Sequence, residues 1–142
     1  LIVSPNSPNA VPSRAEFSID LRHPDEAILE RLSGEISSVC AKVAPPCGIV
    51  VTQTFHKTPT NFAPEIVSSV ESSACALGLS AMLLPSGAFH DAGMMATHCP
   101  SGMIFIPCAD GISHNEAEYA SSADLAAGTK VLAACLTKLA AK

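Results

Sequence analysis

The sequence predicts an α/β fold, in which an α+β part precedes an α/β part, and three features of its hydrophobic pattern indicate this. Residues 15–22 alternate apolar and polar side chains, as in a half-buried antiparallel strand. Residues 24–43 repeat apolar side chains at helical spacing. From residue 64 onward the pattern predicts a helix, an unbroken apolar strand and a last helix. The order strand, strand, helix, strand in the first part is typical of an open α+β sheet with helices on one face, and the second part is typical of a piece of an α/β sheet.

The first part opens with the end of a strand at Leu1–Val3 and a loop at residues 4–9, whose two prolines block a regular hydrogen-bond ladder. The strand predicted at Ala15–Arg22 places three apolar side chains on one face, namely Phe17, Ile19 and Leu21. Because the chain begins at the end of a strand and lacks an initiator methionine, we expect it to be a piece of a longer protein.

A helix is predicted over residues 24–43, because proline is favoured in a first turn and the acidic pair Asp25 and Glu26 suits the positive end of the helix dipole. Two consecutive prolines end this helix. The β-rich segment Gly48–Phe55 that follows predicts a further strand, and a short linker separates it from the second part.

The second part begins with a helix predicted from Pro64 to about Leu77, followed by a short helix at His90–Ala96. The unbroken apolar run Gly102–Ile106 predicts a strand that is covered on both faces. The last helix is predicted to start at Ser121 or Ser122, where a capping arrangement is present. We expect the buried stripe of this helix to consist of Leu125, Leu132, Leu136 and Leu139.

The composition limits the classes of protein to which this chain can belong. With 142 residues, 48% of them hydrophobic, the chain can build a packed core. Its net charge of −5 argues against a nucleic-acid partner, because phosphate binding needs a basic surface. No apolar run approaches the length that spans a bilayer, so we expect no membrane segment. The six cysteines form no C-x-x-C pair, which favours buried free thiols in a cytoplasmic protein over disulfides or a zinc ribbon.

His114 is the first candidate for chemistry, since it lies just beyond the carboxyl end of the predicted strand Gly102–Ile106. Ligands of α/β sheets bind at such ends, and a neutral imidazole is a good ligand for a borderline metal ion. Glu116 and Glu118 are candidates for side chains that orient the imidazole. The alternative is a histidine in a surface loop that has no partner.

The second candidate is the segment Ser86–Asp91, where the small residues Gly87 and Ala88 let a substrate approach closely. His90 could donate a hydrogen bond to a developing oxyanion. The alternative is that Gly87 makes a turn and that His90 only caps the next helix.

The third candidate pairs Asn9 with Arg22. The planar guanidinium of Arg22 matches a carboxylate, and the Asn9 amide could donate to the same oxygen. The alternative is an exposed arginine that pairs loosely with Asp20 or Glu16 and contributes little.

Taken together, these segments resemble the amidohydrolase group that contains N-carbamoyl-L-amino-acid hydrolases, allantoate amidohydrolases and β-ureidopropionases. This group belongs to the wider aminoacylase and carboxypeptidase type of two-metal hydrolases. The matching segments are Pro8–Pro12, Asp20–Pro24, Leu84–Ala92 and, most specifically, Gly111–Glu118. The likeness runs nearly end to end, but it covers only about the last third of a full-length member.

The resemblance implies a fragment of a two-domain dimetal hydrolase that cleaves a linear ureido or amide C–N bond in N-carbamoyl-L-amino acids or allantoate-like substrates. In this group a lid domain, which also forms the homodimer, interrupts the catalytic domain. On that basis residues 1–60 are the C-terminal part of the lid, and residues 63–142 are the C-terminal segment of the catalytic domain.

The resemblance also implies roles for individual residues. His114 would be a metal ligand, and His90 would contact the substrate and stabilise the tetrahedral intermediate. The carboxylate of the small-molecule substrate would be bound by Asn9 and Arg22. The segment before His90, made of Gly87, Ala88 and Phe89, would lie beside the substrate. The group uses two divalent ions, zinc or manganese. The other metal ligands and the general base fall outside this chain, which alone need hold no metal, so we expect it to be inactive by itself.

Position 89 departs from the pattern of the group, which usually has glycine directly before this histidine. The side chain of Phe89 can narrow the pocket and alter the substrate. Two other functions stay open. One is a non-catalytic dimerisation or interaction module whose exposed sheet edge pairs with another chain. The other is an aminoacylase or dipeptidase of the wider clan, although Gly111–Glu118 favours the carbamoyl and allantoate group.

Overall fold

The computed structural model describes residues 1–141, and these fall into two units, one spanning Leu1–Pro59 and one that begins at Thr60. The first unit holds a two-stranded sheet and one long helix, and the second holds three helices and a short 3-10 turn. The elements in chain order are β1 (Ile2–Ser4), β2 (Arg14–Glu16), α1 (Glu26–Val43), α2 (Pro64–Ala76), α3 (Asp91–Met95), the 3-10 turn (Ala109–Gly111) and α4 (Ser122–Ala140).

Strands β1 and β2 pair antiparallel, with Val3 opposite Ala15 at the centre of the register. The loop between them is tied back by Ser13, whose backbone N–H and hydroxyl both donate to the Ser4 carbonyl, at 2.9 and 3.1 Å. The strand predicted at Leu1–Val3 is therefore confirmed, shifted by one residue. The two strands carry the loop that contains Asn9.

The strands predicted at Ala15–Arg22 and Gly48–Phe55 are wrong over most of their length. Only Arg14–Glu16 is paired, and the apolar side chain of Phe17 is 60% exposed. Alternation shows which faces a strand would present, but a strand also needs a neighbour to take its backbone hydrogen bonds. In the part of the chain that the structure describes, β1 provides that neighbour for three residues only.

Helix α1 confirms the helix predicted over residues 24–43. It begins two residues after Pro24, because the Asp25 carboxylate caps it by accepting the Ala27 backbone N–H at 2.9 Å. Glu26 in the first turn also contacts His56, with Oε1 and Nε2 2.9 Å apart. This contact joins the segment that contains His56 to the start of the helix.

Helices α2 and α4 pack against each other and contain the buried residues of the second unit, which are Ser69, Ser73, Ala74, Val131 and Cys135. The interface is partly polar: the Cys135 thiol donates to the Ser69 hydroxyl at 3.4 Å, and Lys138 Nζ donates to the Ser72 hydroxyl at 2.8 Å. Both helices confirm their predictions, including the cap of α4, where Ser121 Oγ accepts the Asp124 N–H.

The predicted buried stripe of α4 is wrong. Leu125, Leu132 and Leu136 are about half exposed, Leu139 is half-buried, and the fully buried positions are Val131 and Cys135. Small residues rather than leucines face α2, because close packing of two helices leaves little space between their axes.

The strand predicted at Gly102–Ile106 is also wrong, since this segment has no ladder partner among the described residues and Phe105 is 59% exposed. The segment instead lies against both long helices of its unit. A Cβ built on Gly102 would lie 2.8 Å from Ile66 Cγ2 of α2, and one built on Gly128 of α4 would lie 2.6 Å from Ile106 Cγ2. The two glycines thus allow the segment to approach α2 and α4 closely.

All six cysteines carry free thiols. The expectation that they are mostly buried is wrong, because Cys135 alone is buried while Cys47, Cys75 and Cys99 are exposed. None of the helices in residues 1–141 combines the length and the apolar character that crossing a membrane requires.

Candidate functional site

The two ends of the loop that carries His114 are joined by a hydrogen bond, and several of its residues adopt an unfavourable backbone conformation. The Ala109 backbone N–H donates to the Tyr119 carbonyl at 2.7 Å, which joins the two ends of the loop. Asp110 (φ 55°), Gly111 (φ 67°) and His114 (φ 54°) all adopt left-handed backbone. For a residue with a side chain this conformation costs about 1–2 kcal/mol, so the surrounding contacts must hold it in place.

Glu118 supplies such a contact. Its Oε2 accepts the backbone N–H of His114 at 2.8 Å, and its own backbone N–H donates to the Asn115 carbonyl at 3.0 Å. The Asn115 side-chain oxygen in turn accepts the Ala117 N–H at 2.9 Å. Glu118 therefore orients His114 through the backbone, which corrects the prediction that it orients the imidazole.

The His114 imidazole is exposed and has no hydrogen bond or ion pair with any of residues 1–141. Glu116, the other predicted orienting residue, is also exposed and makes no such contact within the same residues. An imidazole with both nitrogens free on a fixed backbone is able to bind a metal ion. However, no three His, Cys, Asp or Glu side chains in the described chain come together as a metal site.

His90 lies at the N-cap position of α3, yet its side chain does not cap the helix. Its Nε2 instead lies 2.6 Å from the Ser86 hydroxyl, which also accepts the Ala88 backbone N–H at 3.2 Å. His90 therefore occupies the N-cap position, as the alternative interpretation predicts. Its imidazole does not cap the helix and instead contacts Ser86.

The ring of His90 also contacts Phe105. The ring centroids are 5.5 Å apart and the planes are inclined by 64°, an edge-to-face arrangement. Phe105 belongs to the segment that leads into the His114 loop. The structure therefore places His90 against the chain segment that carries His114, but no hydrogen bond or ring contact joins the two histidines within residues 1–141.

The residues before His90 form an exposed turn. Gly87, Ala88 and Phe89 all lie at the surface, and Phe89 is 64% exposed. The turn places Ser86 beside His90, four residues apart. Sequence reasoning did not single out Ser86 or Phe105 as partners of His90, although a serine four residues before the histidine across a glycine turn was a usable signal for the first.

Arg22 and Asn9, the predicted carboxylate-binding residues, belong to the first unit and are exposed or half-exposed. Arg22 donates to one oxygen of Asp20 from both Nε and Nη2, at 3.0 and 2.6 Å. This hydrogen bond lowers the pKa of the Asp20 carboxyl and raises the pKa of the Arg22 guanidinium. The Asn9 backbone N–H donates to the Ser7 hydroxyl at 3.4 Å. The alternative of an exposed arginine paired with Asp20 describes this geometry, while the role toward a substrate stays a prediction.

Comparison with known proteins extends these observations. The N-carbamoyl-L-amino-acid amidohydrolase of Rhizobium meliloti is 40% identical over 136 residues, which are 93% of this chain and 32% of that protein. The allantoate amidohydrolase of Escherichia coli strain K12 is 36% identical over 140 residues, which are 96% of this chain and 34% of that protein. The chain thus spans about a third of the length of the curated relatives it matches.

A solved structure described as an amidase of the hydantoinase/carbamoylase family, from Burkholderia vietnamiensis, superposes with a TM-score of 0.80 at 40% identity. The superposition covers 96% of this chain and 34% of that one. These similarities confirm the resemblance to the amidohydrolase group that the sequence motifs indicate. Residues 2–138 match the sequence profile of peptidase family M20/M25/M40, and the chain therefore belongs to that family.

Proposed function

We propose that this chain is the C-terminal part of a metal-dependent amidohydrolase that cleaves a linear C–N bond in N-carbamoyl-L-amino acids or allantoate-like substrates. The observation that carries the proposal is the His114 loop. It presents an exposed imidazole without a partner in residues 1–141, and the Glu118 carboxylate holds the backbone behind it at 2.8 Å. Two relatives whose names state these substrates match over more than nine-tenths of the chain.

The described residues provide one candidate metal ligand and do not provide a complete metal site. His114 would provide that ligand, since both of its ring nitrogens are available, whereas three or so protein ligands are usual for a catalytic ion. Two divalent ions, zinc or manganese, would lower the pKa of the attacking water when bound. The remaining ligands and the base that takes the proton must then come from polypeptide other than these residues.

His90 and Arg22 would handle the substrate. Attack on a ureido or amide carbonyl develops negative charge on its oxygen, and a fixed imidazole N–H stabilises that charge. The contacts of His90 with Ser86 and Phe105 support this role, because they restrain the ring from two directions. The planar guanidinium of Arg22 suits the substrate carboxylate, which would share its donors with Asp20, and the Asn9 amide would be a second donor.

The test is a metal-binding and hydrolysis assay on the intact gene product. We expect zinc- or manganese-dependent release of the amino acid from N-carbamoyl-L-amino acids, or of ammonia from allantoate. The His114→Ala variant should lose bound metal and about 100-fold or more of its turnover, since loss of a ligand exceeds the 10–100-fold cost of losing an orienting partner. His98→Ala is the matched control, because His98 is also exposed and its side chain makes no hydrogen bond with residues 1–141.

Three results would contradict the proposal. One is an intact product that hydrolyses neither substrate class at any metal load, which would favour a non-catalytic interaction module. Another is an unchanged metal content in His114→Ala. The third is hydrolysis by the purified 142-residue chain alone, since that chain contributes a single ligand to the metals.

A further inference from the structure

Ser86 is a hydrogen-bond partner of His90, the proposed oxyanion donor, and its effect on the proton of that ring goes beyond the restraint described above. Its hydroxyl oxygen lies 2.6 Å from His90 Nε2 and 3.2 Å from the Ala88 backbone nitrogen. Within residues 1–141 the other ring nitrogen of His90, Nδ1, makes no hydrogen bond. The Ser86 contact therefore depends on which nitrogen of the neutral His90 ring carries the proton.

We propose that Ser86 is a positioning residue that holds neutral His90 in the Nδ1–H tautomer, so that Nδ1 is the atom that donates to the substrate oxyanion. The inference rests on the proposed function for the oxyanion, but the tautomer itself is a property of the protein without substrate. The tautomer of a histidine is set by the hydrogen bond that its other nitrogen makes.

Two observations favour one direction for the Ser86–His90 hydrogen bond, whose donor depends on the tautomer of the ring. Ser86 Oγ already accepts the Ala88 N–H, and its single hydrogen has His90 Nε2 as its nearest acceptor. The separation of 2.6 Å is also shorter than the range of about 2.7–3.2 Å in which an N–H donor normally lies from an oxygen. We therefore infer that Ser86 donates and that Nε2 accepts.

The tautomer of His90 determines whether its free ring nitrogen is a hydrogen-bond donor or an acceptor. A neutral imidazole has one donor and one acceptor nitrogen. If Nε2 accepts from Ser86, the ring proton lies on Nδ1, and the free side of the ring is a donor. In the opposite tautomer the free nitrogen would be an acceptor and would repel a developing oxyanion. The edge-to-face contact with Phe105 adds a second restraint on the ring plane, although it does not select the tautomer.

The test is nitrogen-15 NMR of histidine-labelled intact gene product above about pH 8, where an ordinary histidine is neutral. We expect His90 to show a pyridine-type Nε2 and a pyrrole-type Nδ1. Ser86→Ala should abolish this preference, and Ser86→Thr, which keeps the hydroxyl, should retain it. Ser80→Ala is the control, since Ser80 is exposed and makes no side-chain hydrogen bond with the described residues.

Hydrolysis gives an independent second measurement. Ser86→Ala should lower kcat about tenfold, less than the 100-fold or more for removal of an oxyanion donor. It should leave KM unchanged, because the hydrogen bond from His90 Nδ1 to the oxyanion forms only in the transition state. Ser86→Thr should restore most of the rate.

Each outcome separates the two proposals. A wild-type His90 protonated on Nε2 overturns the positioning role of Ser86 even if the Ser86→Ala variant does not fold. An active Ser86→Ala protein with unchanged kcat and tautomer overturns it as well, and leaves the amidohydrolase function intact. A protein without hydrolase activity whose His90 is held as Nδ1–H by Ser86 contradicts the proposed function alone.

Discussion

Arg22 donates from two of its nitrogens to a single oxygen of Asp20, at 3.0 Å from Nε and 2.6 Å from Nη2. The two residues are two positions apart in an exposed segment without regular secondary structure. The Nε and Nη2 donors of the exposed Arg22 guanidinium therefore both face Asp20 in the first unit. A substrate carboxylate would have to compete with Asp20 for these donors or share them.

The Arg22→Ala variant of the intact gene product should raise KM for a carboxylate-bearing substrate about 10- to 100-fold and change kcat little. The reason is that a hydrogen bond to a charged group is worth about 1.5–3 kcal/mol, in the ground state and the transition state alike. Steady-state kinetics measures both parameters. Arg14→Ala is the matched control, because Arg14 is also exposed and pairs with Glu16 at 2.9 Å. An equal rise in KM in both variants would exclude a specific role.

The pH dependence of Asp20 gives a second prediction. The hydrogen bond from Arg22 lowers the pKa of this carboxyl below its usual value of 3.8. A lowered folded-state pKa adds stability that is complete above the unfolded value of about 3.9 and is lost as the pH falls through the lowered value. Because both groups are exposed, the effect on stability is small. Carbon-13 NMR titration of the Asp20 carboxyl should show its pKa rise in Arg22→Ala and stay low in Arg14→Ala.

Gly128 of α4 should not tolerate alanine, although alanine favours helices. The added Cβ would lie 2.6 Å from Ile106 Cγ2, a methyl group on a β-branched side chain whose χ1 rotamers are restricted. We expect Gly128→Ala to lower the free energy of unfolding by about 1–3 kcal/mol, as overpacking does. The control is Gly34→Ala in α1, where nothing lies within 4 Å and a gain of about 0.5–1 kcal/mol is expected.

Urea unfolding of the intact gene product measures both changes. An Ile106→Ala background removes the clashing methyl group, so the penalty of Gly128→Ala should disappear there. A Gly128→Ala protein as stable as Gly34→Ala would show that the segment 102–106 does not pack on α4 as described.

Phe89 should influence the choice of substrate. It is 64% exposed and directly precedes His90, at the position where the resemblance to the amidohydrolase group implies glycine. We expect Phe89→Gly to change the ratio of kcat/KM between small and large N-carbamoyl amino acids about tenfold, the scale of a pocket contact. Phe17→Gly, at a similarly exposed position of the first unit, is the control. Identical ratios in wild type and Phe89→Gly would contradict a pocket role.

The predicted helices agree with the structure to within about two residues at most ends. Their signals are local: the Asp25 carboxylate bonds to a backbone N–H two residues away, and Ser121 caps α4 in the same manner. Gly78, with φ of 68°, closes α2 as a glycine does after a helix. Such contacts join residues that are close in sequence, so they can be predicted from the local sequence alone.

The predicted strands and the buried face of α4 were inferred from the same pattern and were mostly wrong. A strand depends on a partner for its hydrogen bonds, and that partner is distant in sequence. Leu125, Leu132 and Leu136 of α4 are exposed because α2 packs on the side of α4 that carries Val131 and Cys135. Apolar character alone does not say which of two apolar faces meets a given neighbour.

For the candidate site, the sequence predicts His90 and His114, because the segments around them resemble motifs of the amidohydrolase group, and their roles stay predictions. Tertiary structure decided the contact of the Phe105 ring with His90, which joins residues distant in sequence. The other contacts are local: Ser86 with His90, the Glu118 carboxylate with the His114 backbone, and Asp20 with Arg22, each within four residues. The physical reason is that residue type sets which bonds a side chain is able to make, whereas the path of the backbone selects the atom it meets.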